Sequence, residues 1–213
     1  MNKVLVIGAS SGIGLETTKL ALEQGLSVKA FSRSANKIDI THGDLEKVAG
    51  NALSGADVEA AVKDCDAVVM ALGVPANLKL LTGPITLFSE ATRVLIPIMQ
   101  KHNVKRLICV TGFGAGECID AINPIQKIGF NMVFGRAYAD KSVQEDEIIK
   151  SDLDWTIVRP GVLTSCSFPS SYRVLADKQE WKNGLVSRKS VAEFIVKELK
   201  DNQFIHKAPV LIA

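Results

Sequence analysis

Val4-Leu5-Val6-Ile7, then Gly8-Ala9-Ser10-Ser11-Gly12-Ile13-Gly14, then Leu15-Glu16-Thr17-Thr18-Lys19-Leu20: the chain opens with strand, glycine turn and helix in direct succession. In that context a glycine fingerprint signals a dinucleotide site. Gly8 permits a tight exit from the strand. Gly12 removes the Cβ that would hold the backbone away from a pyrophosphate, and Gly14 lets the helix close on the strand. The helix start offers unpaired N–H groups and partial positive charge to phosphates, with Ser10, Ser11 and Ile13 set between the glycines. The alternative is a βα turn that needs its glycines for backbone reasons alone.

At 213 residues the chain is long enough for one well-buried domain and short for two. Apolar and charged contents of 47% and 23% are those of a soluble globular protein. A net charge of +2 provides no basic field for nucleic acid. No apolar stretch approaches a membrane span, and the N-terminus begins at once with a core strand, so no removable signal peptide is expected. Cys65, Cys109, Cys118 and Cys166 lack metal-ligand spacing, and His42, His102 and His206 are scattered among polar neighbours. No metal site is expected, and the cysteines read as reduced thiols of a cytoplasmic protein.

Apolar runs of strand length alternate with helical patterns, which argues for βαβ units and a parallel sheet. Strands are expected at Lys3–Gly8, Ser27–Ser32, Glu46–Gly50, Ala67–Leu72, Arg106–Thr111, Trp155–Arg159 and Pro209–Ile212. Helices are expected at Ile13–Gln24, Asp57–Lys63, Ile85–Asn103, Asp140–Lys150 and Ser190–Asp201. Pro97 predicts a kink or break in the third. The expected fold is α/β: a Rossmann-like, doubly wound parallel sheet of six to seven strands with helices on both faces, forming a single domain over residues 1–213. Two segments fit this scheme less well, 112–136 with Phe113, Ile119 and Phe134, and 163–185 with Phe168, Tyr172 and Trp181. Both leave the carboxyl ends of strands, where ligands bind in open α/β sheets. They read as substrate-side insertions, or alternatively as a dimer interface or a mini-core over the sheet edge.

The second strand ends Ala30-Phe31-Ser32-Arg33-Ser34, with no carboxylate until Asp39. An acidic residue there bonds the ribose hydroxyls and repels a 2′-phosphate. Arg33 instead offers that phosphate a planar two-pronged donor, and Ser34 adds a hydroxyl. NADP(H) is therefore expected in preference to NAD(H). The alternative is that Arg33 is a solvated loop cation.

The Gly-x-x-x-Gly-x-Gly spacing resembles the fingerprint of the short-chain dehydrogenase/reductase superfamily. Val48-Ala49-Gly50-Asn51-Ala52-Leu53, followed by Ala56-Asp57-Val58, resembles the third-strand signature of its atypical members. There Asn51 replaces the Asp that touches adenine, and Ala52 stands beside it. Asp66-Ala67-Val68-Val69-Met70-Ala71-Leu72-Gly73 resembles the fourth strand, which assigns Leu72 and Gly73 to the adenine ribose. The stretch Arg106–Gly116, Asp140-Lys141, Glu145, the stretch Asp154–Gly161 and Ser187-Arg188 continue the likeness in order. The chain is thus similar, over nearly its whole length, to the NAD(P)H-binding atypical short-chain group. That group includes flavin and biliverdin-IXβ reductases, NADPH-binding redox sensors and relatives of NAD-dependent epimerases and dehydratases.

In the catalytic branches of the superfamily a Ser or Thr polarises the substrate and a Tyr transfers a proton. A Lys four residues later lowers the Tyr pKa and holds the nicotinamide ribose. The resemblance gives Thr111 the first role and Lys141 the last. However, the residue four before Lys141 is Ala137, and Tyr138 stands only three before it. One residue on a helix is a rotation of about 100°. Tyr138 is the remaining candidate acid, with packing or a place on the rim as its alternative. Pro160 and Gly161 lead to the nicotinamide, where backbone N–H groups near Val162 are expected to bond the carboxamide. The imperfect dyad favours hydride transfer to a flavin, quinone or other conjugated small acceptor, in which the cofactor carries the chemistry. Two alternatives stand beside that reductase. One is a non-catalytic NADP(H)-binding redox sensor or assembly protein; the other is a nucleotide-sugar epimerase/dehydratase-like enzyme, for which the fifty or so residues after Pro160 leave little room. The expected partner is a small conjugated substrate, with neither nucleic acid nor membrane, and the chain is either a monomer or a homodimer.

Overall fold

A computed structural model describes residues 2–74, 85–121, 124–164 and 171–213, with the backbone alone for 124–133. Its strands are β1 (Lys3–Ile7), β2 (Ser27–Ser32), β3 (Leu45–Ala49), β4 (Ala67–Met70) and β5 (Arg106–Val110). They continue with β6 (Asp154–Pro160), β7 (Val162–Thr164), β8 (Arg173–Leu175), β9 (Leu185–Ser187) and β10 (Val210–Ile212). The helices are α1 (Gly12–Glu23), α2 (Gly55–Val62), α3 (Leu87–Lys101), α4 (Pro124–Ile149) and α5 (Arg188–Asp201).

The alternation along β1 explains why its run is apolar throughout. Val4 and Val6 enter one core with Ala21 and Leu22 of α1 and Ile195 and Leu199 of α5. Leu5 and Ile7 enter the opposite core with Val58 and Val62 of α2, Leu95 and Met99 of α3, and Ile148 of α4. A strand covered on both faces cannot carry the polar half of an alternating pattern.

The main sheet has the order β3-β2-β1-β4-β5-β6-β10-β8, with β1 paired in parallel to both β2 and β4. The direction of winding reverses between β1 and β4, and ligands bind outside the carboxyl ends of strands at such a switch point. The architecture is the expected Rossmann-like one, with eight strands in the sheet rather than six to seven. The additional strand, β8, runs antiparallel to β10 and lies within the 163–185 segment. Its three residues are too short to show a periodicity.

Two further differences have physical causes. α4 starts at Pro124 rather than near Asp140 and runs for 26 residues. Proline at a first helical position is a start signal. The interior glycines Gly129 and Gly135, each about 1 kcal/mol worse than Ala in a helix, disguise the turns that follow. α3 continues through Pro97, which is exposed on the same side as Arg93. The Arg93 carbonyl deprived of its donor therefore faces water.

Phe113 and Cys118 pack with Leu175, Val210 and Ile212 against Trp181, a small core over the β10–β8 edge that draws on both doubtful segments. Cys65, Cys109 and Cys118 are buried free thiols, whereas Cys166 and Phe168 lie outside the described residues. Among the described residues no helix is long and apolar enough to cross a membrane.

Candidate active site

Because β1 to β6 are parallel, their carboxyl ends share one edge. The residues singled out from the sequence all fall there or on α4 above it. The chain leaves β1 toward β2, with the Gly8 N–H donating to the Phe31 carbonyl at 2.9 Å. Gly12 has φ +60°, and a Cβ built on it would meet only Arg188 Nε, at 3.9 Å, so the space over this turn is open. A Cβ on Gly14 would come within 2.8 Å of the Gly8 carbonyl carbon, which fixes how closely α1 sits on the turn.

Ser11 caps α1 in extended conformation without a side-chain hydrogen bond, and the first turn holds no acidic residue. The leading N–H groups of α1 thus lack the side-chain acceptor that helix starts usually recruit. An open backbone cradle at an uncapped helix start fits the diphosphate of a nicotinamide dinucleotide. Ile13 is buried beneath it, while Ser10 is half-buried and Ser11 exposed.

Arg33 follows β2, the neighbour of β1, and is exposed with no bonded partner among the described residues. The Ser34 N–H donates to Ser32 Oγ at 3.2 Å and folds the loop back on itself. At the end of β3, the Asn51 N–H donates to Asp57 Oδ2 at 2.8 Å, and Asn51 Oδ1 accepts from the Leu53 N–H at 3.1 Å. The Asn51 NH₂ group has no partner among the described residues and stands beside buried Ala52. Leu72 and Gly73 follow β4.

At the end of β5, buried Thr111 donates its hydroxyl to Glu145 Oε1 at 2.6 Å. Arg159 grips the same carboxylate with both prongs, Nη2 to Oε2 at 2.6 Å and Nε to Oε1 at 3.1 Å. The two side chains are 2% and 1% exposed, and the guanidinium lies 4.9 Å over the Trp181 ring. Lys141 Nζ donates to the Thr111 carbonyl at 2.5 Å. It sits 5.0 Å over the Phe88 ring and 5.2 Å over the Tyr138 ring, with no carboxylate of the described residues in ion-pair range. Burial of this charge drops the Lys141 pKa to about 8, against smaller opposing effects of Cys109 and Glu145.

Tyr138 lays its hydroxyl over Gly112, where a Cβ would come within 2.5 Å of the phenol oxygen. Burial, with a smaller contribution from Cys118, pushes its pKa up to about 12. The ammonium meets the ring face, which is the geometric consequence of the three-residue spacing. Asp140, next along α4, accepts from the Phe88 and Ser89 N–H groups at 2.8 and 3.3 Å. It thereby caps α3 and holds Phe88 against Lys141.

Pro160 and Gly161 stand at the end of β6 as expected, but the Val162 N–H donates to the Gly184 carbonyl at 2.8 Å. It belongs to the small β7–β9 pair. Arg188, to which the sequence assigns no role, also lies near the glycine turn. It donates from Nη1 to the Thr164 carbonyl at 2.8 Å, and its Nε lies 3.9 Å from where a Cβ on Gly12 would stand. Its signals in the sequence are its place directly after Ser187, the α5 N-cap, and the likeness that Ser187-Arg188 carries.

The family model described as NAD(P)H-binding matches residues 8–202. An uncharacterized chloroplastic protein of Arabidopsis thaliana is 28% identical over 221 residues, 99% of this chain and 76% of the relative. ChuY, described as an anaerobilin reductase of Escherichia coli O157:H7, superposes with a TM-score of 0.82 at 24% identity, over 99% of this chain and 97% of ChuY. A wide-type short-chain dehydrogenase/reductase of Veillonella parvula, solved in complex with NADP, gives 0.84 at 16% identity over 100% and 94% of the two chains. The open glycine cradle, the Rossmann strand order and the matched family model agree: the chain belongs to the NAD(P)H-binding family and has the fold of an atypical short-chain dehydrogenase/reductase.

Proposed function

We propose that the protein is an NADP(H)-dependent reductase that delivers hydride to a planar conjugated acceptor such as a flavin, a quinone or a linear tetrapyrrole. The observation that carries this reading is the position of Lys141 over the face of Tyr138 in a chain whose glycine turn after β1 is open. The Tyr-Lys dyad that serves alcohols and simple carbonyls is off register, whereas the open glycine turn and the NAD(P)H-binding family support a dinucleotide. The description of ChuY as a reductase of a bilin-type substrate supports the same class of acceptor.

Bound NADPH supplies the hydride. In this reading Ser10, Ser11, Gly12 and the first N–H groups of α1 hold the diphosphate, and Arg188, beside Gly12, adds its guanidinium. Arg33 and Ser34 take the 2′-phosphate, the Asn51 amide takes adenine, and Leu72 and Gly73 flank its ribose. The remaining donors of Lys141 reach the nicotinamide ribose and the space beyond it.

Charge-assisted hydrogen bonds of this kind contribute about 1.5–3 kcal/mol, or roughly 10- to 100-fold in affinity. Arg33→Asp is therefore expected to weaken NADPH by about 100-fold and NADH by a few-fold at most. Calorimetry on both nucleotides checks it, and an unchanged preference removes Arg33 from the site. Arg188→Met is expected to weaken NADPH and NADH alike, by about 10-fold, because the diphosphate is common to both. A selective loss of NADPH contradicts that placement.

The reductase reading itself is tested by NADPH oxidation with FMN, FAD, biliverdin and menadione in turn. Turnover well above the protein-free rate with any one supports it. Tight binding of NADPH without oxidation by any of them favours a nucleotide sensor.

A further inference from the structure

We propose that Lys141 is the catalytic proton donor to the acceptor, the task that the superfamily gives to tyrosine. The inference rests on the reductase reading above. Several proton-bearing side chains surround the end of β5. Thr111 directs its hydroxyl hydrogen inward to Glu145. Arg159 is spent on the same carboxylate and is stacked on Trp181. Cys118 is buried in the small core over the sheet edge. The Tyr138 phenol is turned over Gly112, and its pKa of about 12 makes it a poor acid near neutrality. Among the described residues around the end of β5, it is Lys141 that combines a matched acidity with spare hydrogens. One of its three N–H bonds goes to the Thr111 carbonyl, which leaves two for ligands.

The surroundings keep this ammonium acidic. Phe88 from α3 and Tyr138 from α4 press their rings on it, and Cys109 of β5 is a neutral thiol whose pKa is raised far by burial. Glu145, the carboxylate in the neighbourhood, is neutralised by Arg159, and Asp140 is turned to the start of α3. An ammonium with apolar walls and no dedicated counter-ion loses its proton readily, and its pKa of about 8 places it near the optimum for general acid catalysis at neutral pH.

The chemistry balances with NADPH as the reductant. Hydride adds to an electrophilic atom of the acceptor, one π bond of the conjugated system breaks, and the electron pair collects on a distal nitrogen or oxygen. That atom forms a bond to the proton leaving Lys141 Nζ. The neutral amine is reprotonated from water, so that NADPH, one proton and the acceptor give NADP⁺ and the dihydro product.

The test uses the full-length protein with biliverdin and FMN as probes, whichever is turned over, across pH 6–10. For wild type, kcat falls above a pKa near 8, because the charged amine is the donor. Lys141→Arg keeps the positive charge yet gives up no proton. It is expected to retain the KM for NADPH within a few-fold, to lose about 100-fold in kcat and to lose the limb near 8. Tyr138→Phe keeps that limb whatever its effect on rate. Independently of activity, protein carrying 13Cε-labelled lysine is titrated by NMR, with Lys141→Arg identifying the resonance. A midpoint near 8 supports the proposal, and one above 10 overturns it. A wild type that turns over with a limb unmoved by Lys141→Arg overturns the proposal and leaves the reductase reading standing. A wild type that oxidises no NADPH with either probe, FAD or menadione overturns both.

Discussion

Replacing Arg159 by methionine is expected to destabilise the fold by about 3–5 kcal/mol, the usual consequence of stranding one member of a buried ion pair. Arg159 and Glu145 are almost wholly removed from water, and the carboxylate has no route back to solvent once its partner is gone. Gly116 packs directly against it, with room for a hydrogen and no more, so the side chain cannot swing aside. The stacking on Trp181 disappears as well, loosening the small core that joins β8 and β10 to the sheet. The double variant Glu145→Leu/Arg159→Met recovers most of the loss, because removing both charges abolishes the desolvation penalty together with the attraction. Urea unfolding of the two single variants and the double variant supplies the cycle. A single variant within 1 kcal/mol of wild type, on the scale just given, contradicts the account. The same network explains why this energy matters at the site. Glu145 fixes Thr111, and the Thr111 carbonyl fixes Lys141, so the double variant tests whether stability alone restores turnover. If the network positions Lys141, the refolded double variant stays slow.

The division between what the chain discloses and what it hides follows the range of the interactions. The glycine turn, β1 and α1 lie within twenty residues of one another, and each residue there is explained by its immediate neighbours. Apolar runs such as Ala67–Met70 carry the parallel sheet in the same way, since a strand buried on both faces needs no partner to be recognised. The failures are of two kinds. β8 is held by its pairing with β10, and the amino-terminal half of α4 carries two glycines that oppose helix locally; both depend on tertiary packing to exist. The side-chain pairs are the second kind. Glu145 meets Arg159 from a different element, and Asp140 caps a helix by accepting from Phe88, fifty-two residues before it in the chain. No spacing rule links such positions. Val162 shows the converse. Its place after β6 was legible, but the competing Gly184 carbonyl that claims its N–H was not.

Gly14→Ala and Gly12→Ala are expected to separate folding from cofactor binding within a single turn. At Gly14 the added carbon falls on the Gly8 carbonyl, a backbone group that no rotamer change can move. Relief requires α1 to lift from the turn, against its packing on α5 through Ala21 and Leu22 in the core. Overpacking of this kind costs about 1–3 kcal/mol and sometimes more, and the displaced helix start no longer aims its N–H groups at the diphosphate. At Gly12 nothing but the tip of Arg188 is near, so the fold bears only the strain of a left-handed alanine, about 1–2 kcal/mol. There the methyl group stands in the open cradle itself, where the phosphate oxygens must approach the backbone. Both variants are therefore expected to lose NADPH affinity by roughly 100-fold or more, the loss of two or more phosphate hydrogen bonds at 1.5–3 kcal/mol each. Thermal unfolding in the absence of nucleotide then distinguishes them, with Gly14→Ala the less stable. Gly12→Ala that binds NADPH as wild type does removes the diphosphate from this turn and leaves the open face over Gly12 without a ligand.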